Sequence, residues 1–464
     1  MTLIKSISGI RGTIGGKPGD GLTPLDIVKF SSAYAAWVIE NTGKQGGSII
    51  VGRDARTSGE MVEQLVIGSL TGMGMDVINL GLATTPTVEI AVVAEKASGG
   101  IILTASHNPG EWNALKLLNN KGEFISAEDG QRILNLADTE AYKFAPVDKI
   151  GRIQSIEDYA ERHISKILSL EMVNTNAIKS AGIKVVVDCV NSVGGIVLPQ
   201  LLRELGVKEV IELYCEPSGI FPHNPEPLPE HLTDLSKAVV EHGADVGLVV
   251  DPDVDRLAIV DEKGNMFGEE YTLVAVADYI LERSPGNTVS NLSSTRALKD
   301  VTLSHGGTYF ASSVGEVNVV RTMKQNDAVI GGEGNGGVIY PEMHYGRDAL
   351  TGAALFLSHL ALKGISCSKI RERYPDYFIS KNKITLDTAV QMDKLLDELA
   401  GYYKQYIINR EDGLKIDMPG GWIHLRKSNT EPIIRIYSEA ATMSEADSMA
   451  EIITGHIMDS KNSL

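Results

Sequence analysis

The sequence predicts an α/β protein made of three successive α/β units and a smaller α+β domain at the end of the chain. Two observations predict this class. Through residue 368, short apolar runs alternate with segments of helical periodicity, which is typical of sheets covered by helices. After residue 368 the pattern changes to two apolar strands with a helix before and after them. The 464 residues are enough for three or four domains, and we predict domains at 1–150, 151–252, 253–368 and 369–464.

The individual elements follow from apolar periodicity and from the turn formers between them. A helix is expected at 25–41, because Thr23 and Pro24 supply a start signal. The strand expected at 257–260 is assigned to the third unit. Because strands and helices alternate, we expect mostly parallel sheets with helices on both faces. The other predicted elements are strands at 48–51, 77–80, 99–103, 183–188, 210–213, 246–250, 328–330, 421–425 and 433–437, and helices at 156–170, 194–205, 232–242, 271–282, 390–407 and from 444 onward.

The composition argues against several classes of partner. The net charge is −17, and such an acidic surface repels nucleic acid and anionic membranes. No apolar run approaches the eighteen or so residues of a membrane span. Cys189, Cys215 and Cys367 are far apart and lack the spacing of metal ligands. We therefore expect reduced thiols in a cytoplasmic protein that binds neither nucleic acid nor membranes.

The motif T-A-S-H-N-P at residues 104–109 follows the apolar run at 99–103. This order places Ser106 on a loop at a strand end, where α/β proteins hold their ligand chemistry. A serine there can be a nucleophile, and the alternative is a turn serine that bonds its own backbone. Because neighbouring side chains tend to point apart, we expect His107 to be a poor base for Ser106.

The motif D-P-D-V-D-R at residues 251–256 lies between two apolar strands. A tight loop would bring Asp251, Asp253 and Asp255 together. At about 4 Å, two such charges repel by roughly 4 kcal/mol at an effective dielectric constant of 20. The cluster therefore needs a cation, and ligands that are all oxygen select Mg²⁺, Mn²⁺ or Ca²⁺.

Three other interpretations of this loop compete with a metal site. An EF-hand would need glycine where Arg256 stands, and helices as flanks. A solvated acidic turn would not have apolar strands on both sides. A phosphatase of the haloacid-dehalogenase type, with Asp251 as its nucleophile, remains an alternative.

Two later loops suit parts of a sugar phosphate. In G-G-E-G-N-G-G at 331–337, Glu333 and Asn335 offer the acceptors and donors that suit a vicinal diol. The loop R-K-S-N-T-E-P at 426–432, with Arg435 after it, offers a phosphate fork donors, hydroxyls and turn N–H groups. A glycine-rich turn and a solvated surface turn are the respective alternatives. Together the four loops indicate phosphoryl transfer on a sugar phosphate.

With these motifs in this order, essentially the whole chain resembles the α-D-phosphohexomutases. The resemblance implies three related α/β domains and a last domain resembling the TATA-binding-protein fold, around a central cleft. It implies a phosphoserine at Ser106 and departures from the common pattern at Gly337, where many members have histidine, and at Asn335, where many have serine. The resemblance implies that Asp251, Asp253, Asp255 and the Ser106 phosphate bind Mg²⁺ and that Arg256 contacts the transferring phosphoryl. It assigns Arg11 and Lys116 to proton transfer and places His107 in the active loop. It implies that the sugar is bound by Glu333 and Asn335, and the distal phosphate by Arg426, Ser428, Asn429, Thr430 and Arg435.

The implied reaction moves a phosphoryl group between the 1- and 6-positions of a hexose phosphate through a hexose bisphosphate. The G-E-G-N-G-G variant and the segment at 110–116 look most like phosphoglucosamine mutases, with phosphomannomutase/phosphoglucomutase as the alternative. We expect a monomer or homodimer. A non-catalytic sugar-phosphate sensor on the same fold remains a further alternative.

Overall fold

The computed structural model describes residues 2–6, 9–43, 46–385, 392–427 and 433–463. The chain divides into two compact units, which we call the first unit, Met1–Tyr279 with Asn335–Arg371, and the second unit, Ile280–Gly334 with Glu372–Leu464. None of the described helices has the length and apolar character needed to cross a membrane.

The first domain is a seven-stranded sheet with helices on both faces. The order of its strands is β1-β2-β6-β5-β3-β4-β7. Helix α1 begins where predicted, because Thr23 and Asp26 form a reciprocal capping box behind Pro24. The elements are β1 Leu3–Ser6, β2 Gly9–Thr13, α1 Pro24–Thr42, β3 Ser48–Arg53, α2 Gly59–Gly72, β4 Asp76–Leu82, α3 Thr85–Ala94, β5 Gly99–Leu103, β6 Trp112–Leu118, α4 Ala127–Thr139 and β7 Ile153–Ser155.

Successive side chains of a strand point to opposite faces of the sheet, so this domain has two hydrophobic cores, one on each face. Ile101 and Leu103 of β5 belong to the core on one face, whereas Ile102 belongs to the core on the other. The prediction of a mostly parallel sheet was wrong here. Strand β3 is parallel to β4 and β5, but β2 and β5 are antiparallel to β6. The short loop between β5 and β6 leaves no room for the helical crossover that a parallel pair requires.

The second domain has a four-stranded sheet in the order β11-β10-β8-β9. The strand predicted at 257–260 pairs antiparallel with β10 in this sheet, so its assignment to the third unit was wrong. The loop at 251–256 is short enough to turn the chain back beside β10. The boundaries predicted near 150 and 368 remain predictions. The elements are α5 Tyr159–Leu168, α6 Thr175–Ala181, β8 Lys184–Asp188, α7 Gly194–Glu204, β9 Glu209–Leu213, α8 Thr233–His242, β10 Val246–Val250 and β11 Leu257–Asp261.

The third stretch of the chain contributes to both units. In the second unit, β12 lies between β13 and β14 and is parallel to both. The elements of this stretch are α9 Glu269–Arg283, β12 Asn287–Asn291, α10 Ala297–Ser304, β13 Tyr309–Ser312, α11 Glu316–Gln325, β14 Ala328–Glu333, β15 Gly337–Ile339, α12 Ala349–Lys363 and α13 Cys367–Arg371.

The last domain is an antiparallel sheet in the order β16-β20-β19-β18-β17. One face of this sheet packs on α14 and α15 through residues such as Leu425 and Ile436. The predicted α+β character is confirmed. The elements are β16 Phe378–Thr385, α14 Met392–Tyr402, β17 Ile407–Asn409, β18 Leu414–Met418, β19 Gly421–Lys427, β20 Ile433–Ala440 and α15 Met443–Ser463.

Candidate active site

Ser106 lies on the loop between β5 and β6, as predicted, with a backbone φ of 49°. This left-handed conformation is uncommon for a residue with a side chain. A relay of hydrogen bonds fixes it: the Ser106 N–H donates to Thr104 Oγ1 at 2.9 Å, and that hydroxyl donates to Asp54 Oδ2 at 2.6 Å. The relay holds the serine backbone in a conformation that it would not adopt alone.

Arg56 organises the rest of this loop. Its guanidinium is completely buried, and its Nε donates to Asp54 Oδ2 at 3.0 Å. The remaining donors all bond backbone carbonyls, which belong to Ser106, Asn108 and Pro109 in the loop and to Trp112, the first residue of β6. All five N–H donors of the guanidinium are thus used. Sequence reasoning assigned Arg56 no role, although an R-D-x-R sequence directly after an apolar strand was a signal that could have found it.

The loop at 251–256 curls tightly, as predicted. Val254 has a φ of 63°, which is strained for a β-branched residue, and its N–H donates to the Asp251 carbonyl at 3.0 Å. Asp251 Oδ1 accepts the N–H groups of Asp255 and Arg256, each at 3.1 Å. Asp251, Asp253 and Asp255 are all fully buried, and ligand oxygens of the three lie within 4.8 Å of one another. They form a group that could hold a metal ion.

The hydrogen bonds of these carboxylates fit a metal ligand set. Asp253 Oδ2 accepts from Thr85 Oγ1 and from Lys116 Nζ, both at 2.6 Å. Asp255 Oδ2 accepts from Arg347 Nη2, also at 2.6 Å. In the described part of the chain, nothing donates a hydrogen bond to Oδ1 of Asp253 or of Asp255. Because an unsatisfied buried carboxylate oxygen is costly, these two oxygens are suited to bind a cation.

The nucleophile and the acidic loop meet directly. Ser106 Oγ donates to Asp251 Oδ2 at 2.7 Å. Burial and the neighbouring Asp255 and Asp253 raise the pKa of Asp251 well above its usual range. Burial alone would raise the pKa of Asp253 as well, but Lys116 outweighs it and lowers that pKa. No cationic side chain that the structure describes donates a hydrogen bond to Asp251, and the charge of Arg256 only partly opposes the rise of its pKa.

The structure corrects the expectation for His107. Its Nδ1 lies 3.2 Å from Ser106 Oγ, because the left-handed turn at Ser106 brings the two neighbouring side chains together. Burial and then the charge of Arg256 lower the pKa of His107 to about 2. The imidazole is therefore neutral at ordinary pH and is a hydrogen-bond partner of the serine.

Cations surround this site. Burial alone would lower the pKa of Lys116, but Asp253 and Asp255 raise it, so the ammonium stays charged. Burial and the charge of Arg256 lower the pKa of Arg11. Arg256 Nε lies 3.8 Å from Asp255 Oδ1. Like charges held together indicate a place for an anion. In the first unit, the structure thus brings together all the predicted residues for the nucleophile, the metal and proton transfer.

The predicted sugar loop is divided between the units. In the second unit, Glu333 is buried at the end of β14, and its Oε1 accepts from Asn291 Nδ2 at 2.9 Å and from the Gly315 N–H at 3.0 Å. In the first unit, Asn335 Oδ1 accepts the Gly337 N–H at 3.2 Å, which is a turn bond. The carboxylate of Glu333 is thus held in a fixed orientation.

The predicted phosphate arginines lie on neighbouring strands of the last domain. Arg426 of β19 is directly opposite Arg435 of β20, which is directly opposite Lys383 of β16. Three like charges in one cross-strand row destabilise a sheet, and an anion would relieve the repulsion. Arg426 Nε also lies 2.8 Å from Asp412 Oδ2. Ser428, Asn429 and Thr430 lie outside the described residues.

Sequence reasoning also missed a histidine on the same face of this sheet. His424 Nε2 donates to the Asp412 carbonyl at 2.7 Å, so its Nδ1 accepts from Ser293 Oγ at 2.9 Å. Burial lowers the pKa of His424 to about 4 and keeps the ring neutral. A single histidine inside an apolar strand gave no signal in the sequence.

Comparison with known proteins agrees with this geometry. Four family models match in order: Phosphoglucomutase/phosphomannomutase alpha/beta/alpha domain I at residues 3–143, domain II at 161–264, domain III at 268–377 and the C-terminal domain at 387–456.

Two relatives match nearly end to end. A “Phosphoglucomutase/phosphomannomutase” of Thermococcus kodakarensis is 36% identical over 95% of this chain and 96% of its own length. A “Probable phosphoglucosamine mutase” of Methanopyrus kandleri is 32% identical over 95% and 94%. The crystal structure of a phosphoglucomutase/phosphomannomutase family protein from Burkholderia thailandensis has the same fold, with a TM-score of 0.85, 24% identity and coverage of 99% of this chain and 98% of that one. The chain therefore belongs to the α-D-phosphohexomutase family, with the family's four domains in order.

Proposed function

We propose that this phosphohexomutase carries its phosphoryl group on Ser106 and moves it between the 1- and 6-positions of a hexose phosphate. The observation that supports this best is the contact of Ser106 Oγ with Asp251 at 2.7 Å, beside the charged groups of Lys116 and Arg256. A nucleophile, an acidic cluster and surplus cations together suit transfer of an anionic phosphoryl group.

Each half-reaction exchanges one P–O bond. In the first, a free hydroxyl of the sugar attacks the phosphorus of phosphoserine 106 and gives up its proton, while the bond from phosphorus to Ser106 Oγ breaks and that oxygen takes up a proton. A hexose bisphosphate results. After the bisphosphate turns round, Ser106 Oγ gives up its proton and attacks the other phosphorus, the bond from that phosphorus to the sugar oxygen breaks, and the sugar oxygen takes up a proton. Lys116 is charged, so in this state it can donate a proton to a departing oxygen but cannot accept one.

We further propose Mg²⁺ at Asp251, Asp253, Asp255 and the Ser106 phosphate. The proposal is supported by ligands that are all oxygen and by the Oδ1 atoms of Asp253 and Asp255, which accept no hydrogen bond from the described residues. When bound, the cation would neutralise negative charge on the phosphoryl oxygens. Arg256 would add a second positive charge, Glu333 would grip the sugar, and Arg426 and Arg435 would hold the phosphate that is not reacting.

The proposed substrate is glucosamine phosphate, and phosphomannomutase/phosphoglucomutase activity is the second candidate. Relatives that match nearly the whole chain carry both names. Steady-state rates on glucosamine, mannose and glucose 6-phosphates, measured side by side, decide between the two. A higher kcat/KM for either of the neutral sugars would overturn the glucosamine assignment.

The phosphoserine is tested by incubation with a hexose bisphosphate, followed by peptide mass spectrometry, with Ser106→Ala as the control. We expect one phosphate on Ser106 in the wild-type protein and none in the variant. A phosphate on Asp251 would instead favour the dehalogenase-type phosphatase. Persistent absence of label and turnover would favour the sensor.

A further inference from the structure

Arg347 lies beside the acidic loop. It belongs to none of the four sequence motifs, and the family resemblance gave it no role. It directly precedes Asp348, the residue that caps α12. Its Nη2 donates to Asp255 Oδ2 at 2.6 Å, and only 9% of the residue is exposed. A largely buried guanidinium that donates to Oδ2 of Asp255 can hold that carboxylate in one orientation.

The role of Arg347 follows from the Asp255 oxygen that this hydrogen bond does not use. Arg347 occupies Oδ2 of Asp255, and the opposite oxygen, Oδ1, is one of the two cluster oxygens to which nothing in the described residues donates. If the guanidinium were absent, Oδ2 would keep only the longer bond from Lys116 Nζ at 3.5 Å among the described residues, so the carboxylate would be held less firmly in one orientation. Partners of this kind orient metal ligands, and their loss typically costs about 10- to 100-fold in metal affinity.

The backbone beside Arg347 holds the same loop. The Ala349 N–H donates at 3.1 Å to the carbonyl of Val254, the residue with the strained φ of 63°. Residues 347–349 therefore fix both a side chain and the least favourable backbone position of the acidic loop.

Gly337 explains how the arginine fits. A Cβ atom built on Gly337 would lie 2.3 Å from Arg347 Cδ and 3.0 Å from its Cγ. These atoms are the middle of the side chain, so they cannot move aside without withdrawing the guanidinium from Asp255. A side chain at 337 and the Arg347 contact therefore exclude each other.

We propose that Arg347 is a positioning residue for the metal loop, and that Gly337 is glycine because the stem of Arg347 fills its side-chain space. The arginine turns Oδ1 of Asp255 toward the bound cation. The inference rests on the proposed function for the identity of the cation, but binding of a cation can be measured without turnover.

If Arg347 acted only as a counter-charge, its removal would change the affinity for the cation in the opposite direction. If Arg347 only neutralised the acidic cluster, its removal would leave more negative charge and the cation would bind more tightly. If it orients Asp255, its removal weakens binding despite the gain in negative charge.

The experiment is titration of the full chain with Mn²⁺, monitored by electron paramagnetic resonance. The variants are Arg347→Ala, Gly337→Ala and the double variant. We expect each single variant to raise the Kd for Mn²⁺ about 10- to 100-fold, and the double variant to be no worse than Arg347→Ala. Arg371→Ala is the matched control, because that arginine bonds the Phe267 carbonyl and stacks on Tyr271 away from the loop.

An unchanged or lower Kd in Arg347→Ala would overturn the proposal, as would full additivity of the two single effects. If Arg347→Ala does not fold, Gly337→Ala alone decides, because it keeps the arginine and only displaces it. If the proposed function is wrong and this inference is right, the variants will show these changes in the Kd for Mn²⁺ although the protein shows no mutase turnover.

Discussion

Replacement of Arg56 by lysine tests how much the serine loop depends on a single side chain. The guanidinium bonds Asp54 and four backbone carbonyls, and all of these bonds are charge-assisted. Each contributes roughly 1.5–3 kcal/mol. Lysine has three donors and no planar fork, so at least two of the five bonds are lost. We expect Arg56→Lys to lower the free energy of unfolding by at least about 3 kcal/mol.

The kinetic consequence should be larger than the change in substrate binding. A displacement of about 1 Å at a reacting group costs on the order of 100-fold in rate. We therefore expect the rate of Ser106 phosphorylation by a hexose bisphosphate, followed in single turnovers, to fall about 100-fold, while KM changes little.

Arg53→Lys is the control for Arg56→Lys. Arg53 lies three residues away and forms ion pairs with Glu60 and Glu63, of which Glu60 is largely exposed. Neither pair reaches the carbonyls that Arg56 holds, so this variant should keep the wild-type rate although the pair with Glu63 is largely buried. If Arg56→Lys phosphorylates Ser106 as fast as wild type does, the argument that its fork holds the loop is refuted.

Three further predictions concern charge. Burial alone would lower the pKa of His344, but Asp348 and Glu89 raise it from 6.5 to about 9. The resulting stability, about 3 kcal/mol, should be present below pH 6.5 and lost as pH rises through 9. Denaturant unfolding across this range should show the loss in wild type and in His231→Gln but not in His344→Gln. Arg435→Ala should raise KM about 10- to 100-fold with kcat nearly unchanged, and an equal loss in kcat would contradict a role in anchoring substrate. Phosphorylation of Ser106 should lower the Kd for Mn²⁺ at least about tenfold, and a Kd that bisphosphate treatment does not change would contradict direct contact of phosphate and metal.

The sequence predicted most of the architecture because apolar periodicity is a local property. The strands at 99–103 and 246–250 and the α+β character of the last domain are all as expected. The sequence could not show that β11 turns back beside β10, because strand pairing depends on the length and curvature of the loop between the strands. For the same reason, the antiparallel pairs of the first sheet were not foreseen.

The candidate site likewise contains residues that the sequence predicted and residues that it did not. Ser106 and the three aspartates lie in short motifs, and the residue types alone indicate their chemistry. Arg56 and Arg347 were missed because their roles depend on contacts over long sequence separations, from Arg56 to Asn108 and from Arg347 to Asp255. The contact of His107 with Ser106 was predicted wrongly because it depends on one left-handed residue.

The pairing of charges in the acidic loop gives a reason for the coupling between metal and phosphoserine. Asp253 accepts from Lys116, and Asp255 accepts from Arg347 and, at 3.5 Å, from Lys116. Among the described residues, the donors to Asp251 are two backbone N–H groups and Ser106 Oγ. Lys116, Arg347 and Arg256 already place three positive charges beside the three carboxylates, so a divalent cation alone would leave the site with excess positive charge. A phosphoryl group on Ser106 restores the balance, because it brings up to two negative charges to the atom that already contacts Asp251. Cation and phosphoserine should then each stabilise the other, so that an enzyme that loses its phosphoryl group also holds its metal less tightly.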